Sequence, residues 1–217
     1  MACDPDGSQS TVDTLTEAER TRGARFARAA DRISFTVTRA ALRDILGREL
    51  GIEAAAARLV EPPAGKPRLC ASHGRPDIDF SVSHTEGMSV IALARRGLVG
   101  VDIERCRAVP EKLKIARELF GSDAARSIAA LAEQGRDEAF LRLWTAGEAY
   151  LKAIGAGFAN RREPIPLRIG CDDAQVAFCP DFAERHAWRI AFIDVPAGYV
   201  CCLATADRGG ISLAAIS

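Results

Sequence analysis

The chain has 217 residues, with 29 basic and 29 acidic side chains, 48% hydrophobic and 27% charged residues, proportions that exclude collagen, coiled coil and intrinsic disorder. A formal net charge of zero removes the electrostatic field that a nucleic-acid-binding domain needs, so no nucleic-acid partner is expected. No apolar run approaches the roughly 20 residues of a bilayer span. The seven cysteines are an odd number without a CxxC pair, and the opening MACDPDGSQS has neither a basic nor an apolar leader region, so the sequence predicts a cytoplasmic chain with reduced thiols and no membrane anchor.

Residues 1–13 are small and polar and read as a tail. Thr16 and Glu19 form a T-x-x-E capping box that opens an Arg-rich helix through Phe26, Arg28 and Arg32. A second helix is predicted from Val37 to Leu50, where Leu42, Ile45, Leu46 and Leu50 recur at helical spacing before Gly51. Residues 61–67, with three prolines and Gly65-Lys66, are a loop. Alternating patterns predict strands over 79–84, 88–94 and 98–104, joined by the turns Thr85-Glu86-Gly87 and Arg95-Arg96-Gly97.

Helical patterning resumes near Pro110, with a break at Gly121-Ser122-Asp123, where Ser122 is the expected cap. Residues 138–154 carry the strongest helical signal, since Phe140, Leu143, Gly147, Tyr150 and Ile154 share a face, and Gly155-Ala156-Gly157 stops the helix. The remainder reads as strands at 167–169, 175–178, 188–195 and 199–206, with turns at Asp172-Asp173, Pro196-Ala197-Gly198 and Gly209-Gly210. This order of helices, strands, helices and strands predicts an α+β fold with two similar lobes.

In Gly100-Val101-Asp102-Ile103-Glu104 the strand period sends Asp102 and Glu104 to one face, about 6–7 Å apart along the strand. Two adjacent carboxylates suit either a hard metal ion or a solvated edge strand. On the helix, Trp144, Glu148 and Lys152 repeat at i, i+4 and i+8 and line one stripe, which either serves a site or is a surface Glu-Lys pair. His84 ends a strand, and Lys66 sits between Gly65 and Pro67, where it is able to pin a phosphate or to be plain solvated surface. Dinucleotide, P-loop, zincin and GxSxG hydrolase motifs are absent.

Together, Gly65-Lys66-Pro67, Phe80-Ser81-Val82-Ser83-His84, Gly100-Val101-Asp102-Ile103-Glu104 and the run from Trp144 to Phe158 resemble the 4'-phosphopantetheinyl transferase superfamily in its longer, single-chain form. The resemblance covers the chain from about Thr16 to the C-terminal strands. It implies two pseudo-symmetric lobes, each a small mainly antiparallel sheet packed with helices, over residues 14–105 and 106–217, with the active site between them. It implies transfer of phosphopantetheine from coenzyme A to a serine of an apo acyl or peptidyl carrier protein, releasing adenosine 3',5'-bisphosphate. Asp102, Glu104 and Glu148 are its implied Mg2+ ligands, and Arg32, Lys66, Ser83, His84 and Lys152 its implied coenzyme A contacts. A chain that supplies both lobes is expected to act as a monomer.

Two positions depart from the family pattern. Relatives usually carry Lys where this sequence has Gly147, and many place a glutamate, the candidate base for the serine hydroxyl, where it has Ala124. Asp123 is then the nearest substitute base, alongside metal-bound water. The alternatives are a catalytically weakened relative that binds coenzyme A or a carrier protein without transfer, and a small Mg2+-dependent phosphohydrolase.

Overall fold

Ile78 and Phe80 on one side of a strand and Asp79, Ser81 and Ser83 on the other set the layering of the molecule. A computed structural model describes residues 13–62, 65–157, 163–170, 175–182, 187–206 and 210–216. The expected tail up to residue 12, Phe158, the Asp172-Asp173 turn and Gly209 lie outside the described residues.

Helix α1 (Glu17–Ala24) opens on the predicted capping box: the Glu19 amide donates to Thr16 Oγ1 at 3.3 Å, and the Thr16 amide donates back to Glu19 Oε2 at 2.8 Å. The helix does not run through Arg32 as expected. It ends at Ala24, the chain bends at Arg25–Arg28, and α2 (Ala29–Leu50) begins eight residues before the predicted Val37. Phe26 explains the bend, because its ring meets Phe35 of α2 at a centroid distance of 5.4 Å only if the chain turns back there. Beneath α1, Arg43 donates from Nε to Glu19 Oε2 at 2.8 Å and from Nη1 to the Ala57 carbonyl at 2.8 Å, tying α1, α2 and the following turn together.

A two-residue pair, β1 (Leu59–Val60) and β2 (Arg68–Leu69), brackets the predicted loop. Strands β3 (Ile78–Thr85) and β4 (Met88–Arg95) form the predicted hairpin. Strand β5 (Val99–Arg105) leads into α3 (Lys112–Phe120) and α4 (Ser122–Ala130). The break between those helices falls as expected, but Gly121 occupies the cap position at φ 91° and Ser122 is already helical, without a capping bond. Helix α5 (Glu133–Ile154) starts five residues before the predicted 138 and ends on Gly155 in the left-handed region. Strands β6 (Leu167–Ile169), β7 (Val176–Phe178), β8 (Arg189–Ile193), β9 (Tyr199–Thr205) and β10 (Ile211–Ile216) follow, the last unforeseen.

The two three-stranded antiparallel sheets, β10-β4-β3 and β5-β9-β8, draw strands from both halves of the chain. β5 pairs with β9 from Val99 opposite Thr205, and the terminal β10 pairs with β4 from Ile211 opposite Ala94. Val90, Ala92 and Ala94 on β4 pack against Val99, Val101, Ile103 and Leu203 of the other sheet, forming the central apolar layer. On the outer faces, Leu42 and Leu46 of α2 cover Phe80, Ile91 and Leu93, while Phe140, Leu143 and Ala146 of α5 anchor the second core with Cys202 and Ala204 of β9. The architecture is therefore helix, sheet, sheet, helix, with two 22-residue helices as its outer layers and an α+β class as predicted. No helix among the described residues is long and apolar enough to cross a membrane.

Candidate active site at the seam of the two sheets

Gly100 brings the charged residues together. A Cβ at this position would lie 1.9 Å from the Ala149 carbonyl oxygen and 2.5 Å from the Ala153 amide, so only glycine lets α5 lie this close to β5. That approach presents the stripe Trp144, Glu148 and Lys152 to the face of β5 that carries Asp102 and Glu104. Trp144 Nε1–H donates to Glu104 Oε1 at 3.1 Å. Lys152 Nζ donates to Asp102 Oδ1 at 2.6 Å and to Ser83 Oγ at 2.9 Å. Ser83 itself donates to Asp102 Oδ1 at 2.8 Å.

Asp102 is 4% exposed, and its Oδ2 is buried without a hydrogen-bond partner. A buried carboxylate oxygen left unpaired is costly unless something positive approaches it. Glu104 Oε2 pairs with Arg107 at 2.9 Å. Burial pushes the half-buried Glu148 carboxyl above its ordinary value; Lys152 opposes that rise, and the charges of Asp102 and Glu104 add to it. Cys201, on the strand behind, is pushed up to about 12 by burial and then by Asp102, so it stays a neutral thiol.

These side chains line a cavity of about 370 Å³ that includes Ser83, His84, Asp102, Glu104, Glu148 and Lys152. It adjoins a larger one of about 710 Å³, since Val82, His84 and Lys152 line both. The larger cavity has an apolar floor at Phe35, Leu42 and Phe80 and a rim at Gly65 to Pro67 and Gly155 to Gly157. Arg22 and Arg39 enter it from α1 and α2, their guanidiniums 5.3 and 5.5 Å from the Phe35 ring centroid and both paired with Glu61. Arg39 Nη1 is buried without a hydrogen-bond partner.

The structure thus gathers Ser83, His84, Asp102, Glu104, Glu148 and Lys152 in one place. As they stand, no three His, Cys, Asp or Glu side chains among the described residues are drawn into a single coordination set; Lys152 engages Asp102, while Arg107 and Trp144 engage Glu104. Asp102, Glu104 and Glu148 nonetheless offer carboxylate oxygens, the donors a hard divalent cation takes, and Asp102 Oδ2 has no hydrogen-bond partner. Lys66 lines the larger cavity with its ammonium turned inward to Asp79 and the Val99 carbonyl. Arg32 is exposed, two helical turns from Arg39, and lines neither cavity. Asp123 is exposed on the first turn of α4, paired with Arg126, and also lines neither cavity.

Sequence reasoning passed over Arg22, Phe35 and Arg39. Once α2 is started at Ala29, Phe35, Thr38, Arg39 and Leu42 fall at i, i+3, i+4 and i+7, a stripe the later helix start concealed.

The family profile described as the 4'-phosphopantetheinyl transferase superfamily matches residues 98–204, and a 4'-phosphopantetheinyl transferase N-terminal profile matches residues 4–96. A Synechocystis protein provisionally named a 4'-phosphopantetheinyl transferase is 32% identical over 178 residues, 82% of this chain and 71% of that protein. The Nostoc 4'-phosphopantetheinyl transferase HetI is 31% identical over 71% of this chain and 65% of its own length. The human L-aminoadipate-semialdehyde dehydrogenase-phosphopantetheinyl transferase is 27% identical over 82% of this chain and 62% of its own length. The matched span is thus less than two thirds of the Nostoc and human proteins.

Proposed function

Because the chain belongs to the 4'-phosphopantetheinyl transferase superfamily, we propose that it transfers the phosphopantetheine arm of coenzyme A to a serine of an apo acyl or peptidyl carrier protein. The observation that carries this reading is the junction of the two cavities. A compartment of about 710 Å³ with an apolar floor, entered by Arg22 and Arg39, adjoins at Lys152 and His84 a cluster of three carboxylates, one with an unpaired buried oxygen.

A nucleotide base and pantetheine arm suit the apolar floor, and the phosphates suit Arg22, Arg39, His84 and Lys152. The serine oxygen bonds to the phosphorus that bears pantetheine, the bond from that phosphorus to the bridging oxygen breaks, and adenosine 3',5'-bisphosphate leaves with that oxygen while the hydroxyl proton passes to solvent water. Asp102, Glu104 and Glu148 would hold Mg2+, which when bound supplies positive charge at the pyrophosphate. Lys152, already fixed by Ser83 and Asp102, orients the phosphates; catalysis of this class rests chiefly on such positioning and electrostatics. The described cysteines, all free thiols, suit a reducing cytoplasm.

Gly147 favours a second reading, binding without transfer: a Cβ there would lie 2.8 Å from the Phe120 ring, so the site goes without the ammonium that the family resemblance leads one to expect at this position. Release of adenosine 3',5'-bisphosphate from coenzyme A, followed with and without an apo carrier protein, separates the two. Carrier-dependent release supports transfer; binding of coenzyme A without release supports the second reading; release without a carrier contradicts both.

A further inference from the structure

Strands β3 and β5 belong to different sheets, yet three amides of β5 are satisfied from β3. The Val99 amide donates to Asp79 Oδ2 at 2.8 Å, the Val101 amide to Ser81 Oγ at 3.1 Å and the Ile103 amide to Ser83 Oγ at 3.3 Å. Both strands advance by two residues per rung, so the seam uses one face of β3 and the edge of β5 turned away from β9. The amides of Val101 and Ile103 flank Asp102.

Lys66 completes the first rung. Its ammonium bonds Asp79 Oδ2 and donates to the Val99 carbonyl at 2.7 Å, so both backbone groups of Val99 end on one ion pair. The two side chains are only 7% and 18% exposed. Burial pulls the Lys66 pKa down, against the pull of Asp79. Turning this ammonium toward the neighbouring cavity would break two bonds and strand a carboxylate, a large penalty at this depth.

We propose that Lys66 and Asp79 are positioning residues: they pin the first residue of β5 and, with the Ser81 rung, hold Asp102 and Glu104 in the register where α5 meets them. Register matters here because a one-residue slip of β5 would turn Asp102 into the apolar layer and Ile103 into the site. The effect on transfer rests on the proposed function; the seam itself does not.

Amide hydrogen exchange at Val99, Val101 and Ile103, measured on the full chain without substrate, tests the seam. Lys66→Met, which takes the donor from the Val99 carbonyl, and Asp79→Asn, which weakens the acceptor of the Val99 amide and breaks the ion pair, are each expected to speed exchange at Val99 by about tenfold. Ser81→Ala, the mildest variant, is expected to do so at Val101, and it carries the test if the Lys66 variant does not fold. Calorimetry with coenzyme A then gives equal affinity changes in Lys66→Met and Asp79→Asn. Unchanged exchange at these amides would overturn the proposal, as would tenfold weaker coenzyme A binding in Lys66→Met but not in Asp79→Asn, the signature of a direct ligand contact. If the parent protein fails to bind coenzyme A, the transferase reading falls while the exchange result still decides the seam.

Discussion

Replacing Gly100 by alanine adds one methyl group where, among the described glycines, a Cβ would meet its closest neighbour. Its Cβ would sit 1.9 Å from the Ala149 carbonyl oxygen, whereas an ordinary C···O contact is about 3.3 Å, so β5 and α5 must part by about 1.4 Å. The neighbouring atoms are helix backbone, so no side-chain rotation relieves the clash. Overpacking of this kind costs about 1–3 kcal/mol, occasionally more, and in a chain of this size each 1 kcal/mol lowers the melting midpoint by about 2–4 °C. The same displacement stretches the 2.6 Å contact between Lys152 and Asp102, and a misplacement of about 1 Å at a reacting site costs about a hundredfold in rate. Calorimetric melting and the rate of transfer to a carrier protein are the two assays. Gly100→Ala with the parent melting point and the parent rate would refute the argument that this glycine sets the site.

Three further outcomes follow from other contacts. Gly147→Lys is expected to lower the melting midpoint without raising the rate, because its Cβ would lie 2.8 Å from the Phe120 ring; a faster variant would show that the ring yields. Glu19→Gln leaves Arg43, 2% exposed, without its carboxylate, at a cost of about 3–5 kcal/mol in denaturant unfolding near neutral pH. Burial raises the Glu19 pKa, but Arg43 and the Thr16 amide outweigh it and hold it below 4.5. Its ionised form therefore stabilises the fold above that value and ceases to do so as pH falls through the lower folded pKa, so the gap between parent and Glu19→Gln should narrow below about pH 4; a gap constant to pH 2 would contradict it. Asp123→Ala should keep the parent transfer rate, since Asp123 is paired with Arg126 outside both cavities, while Asp102→Ala should abolish transfer; loss in both would bring α4 into the site.

Local chemistry made part of this legible. The capping box, the β3–β4 hairpin, the glycine break at 121 and the two-residue spacing of Asp102 and Glu104 all express short-range rules. The stripe of Trp144, Glu148 and Lys152 was visible too, although only the fold shows that Lys152 reaches across to Asp102. What stayed hidden is non-local. The pairing of β5 with β9 and of β10 with β4 joins residues 94 to 127 positions apart, and β10, with Ser212, Ala214 and Ala215 in it, has a weak alternation of its own. The bend at Arg25–Arg28 has no Gly or Pro to announce it, because the Phe26–Phe35 contact makes it. Lys66 looked like a loop cation because nothing in Gly65-Lys66-Pro67 reveals that Asp79 waits beneath it.

The proposed function requires the carboxylate cluster beside Lys152 to serve transfer of the phosphopantetheine arm. Intact-mass measurement of several apo carrier proteins, after incubation with this protein, coenzyme A and Mg2+, tests it most directly, with Asp102→Ala and EDTA as controls. A phosphopantetheine adduct that disappears in both controls is the expected result. An adduct that survives Asp102→Ala, or no adduct on any carrier despite coenzyme A binding, would contradict it.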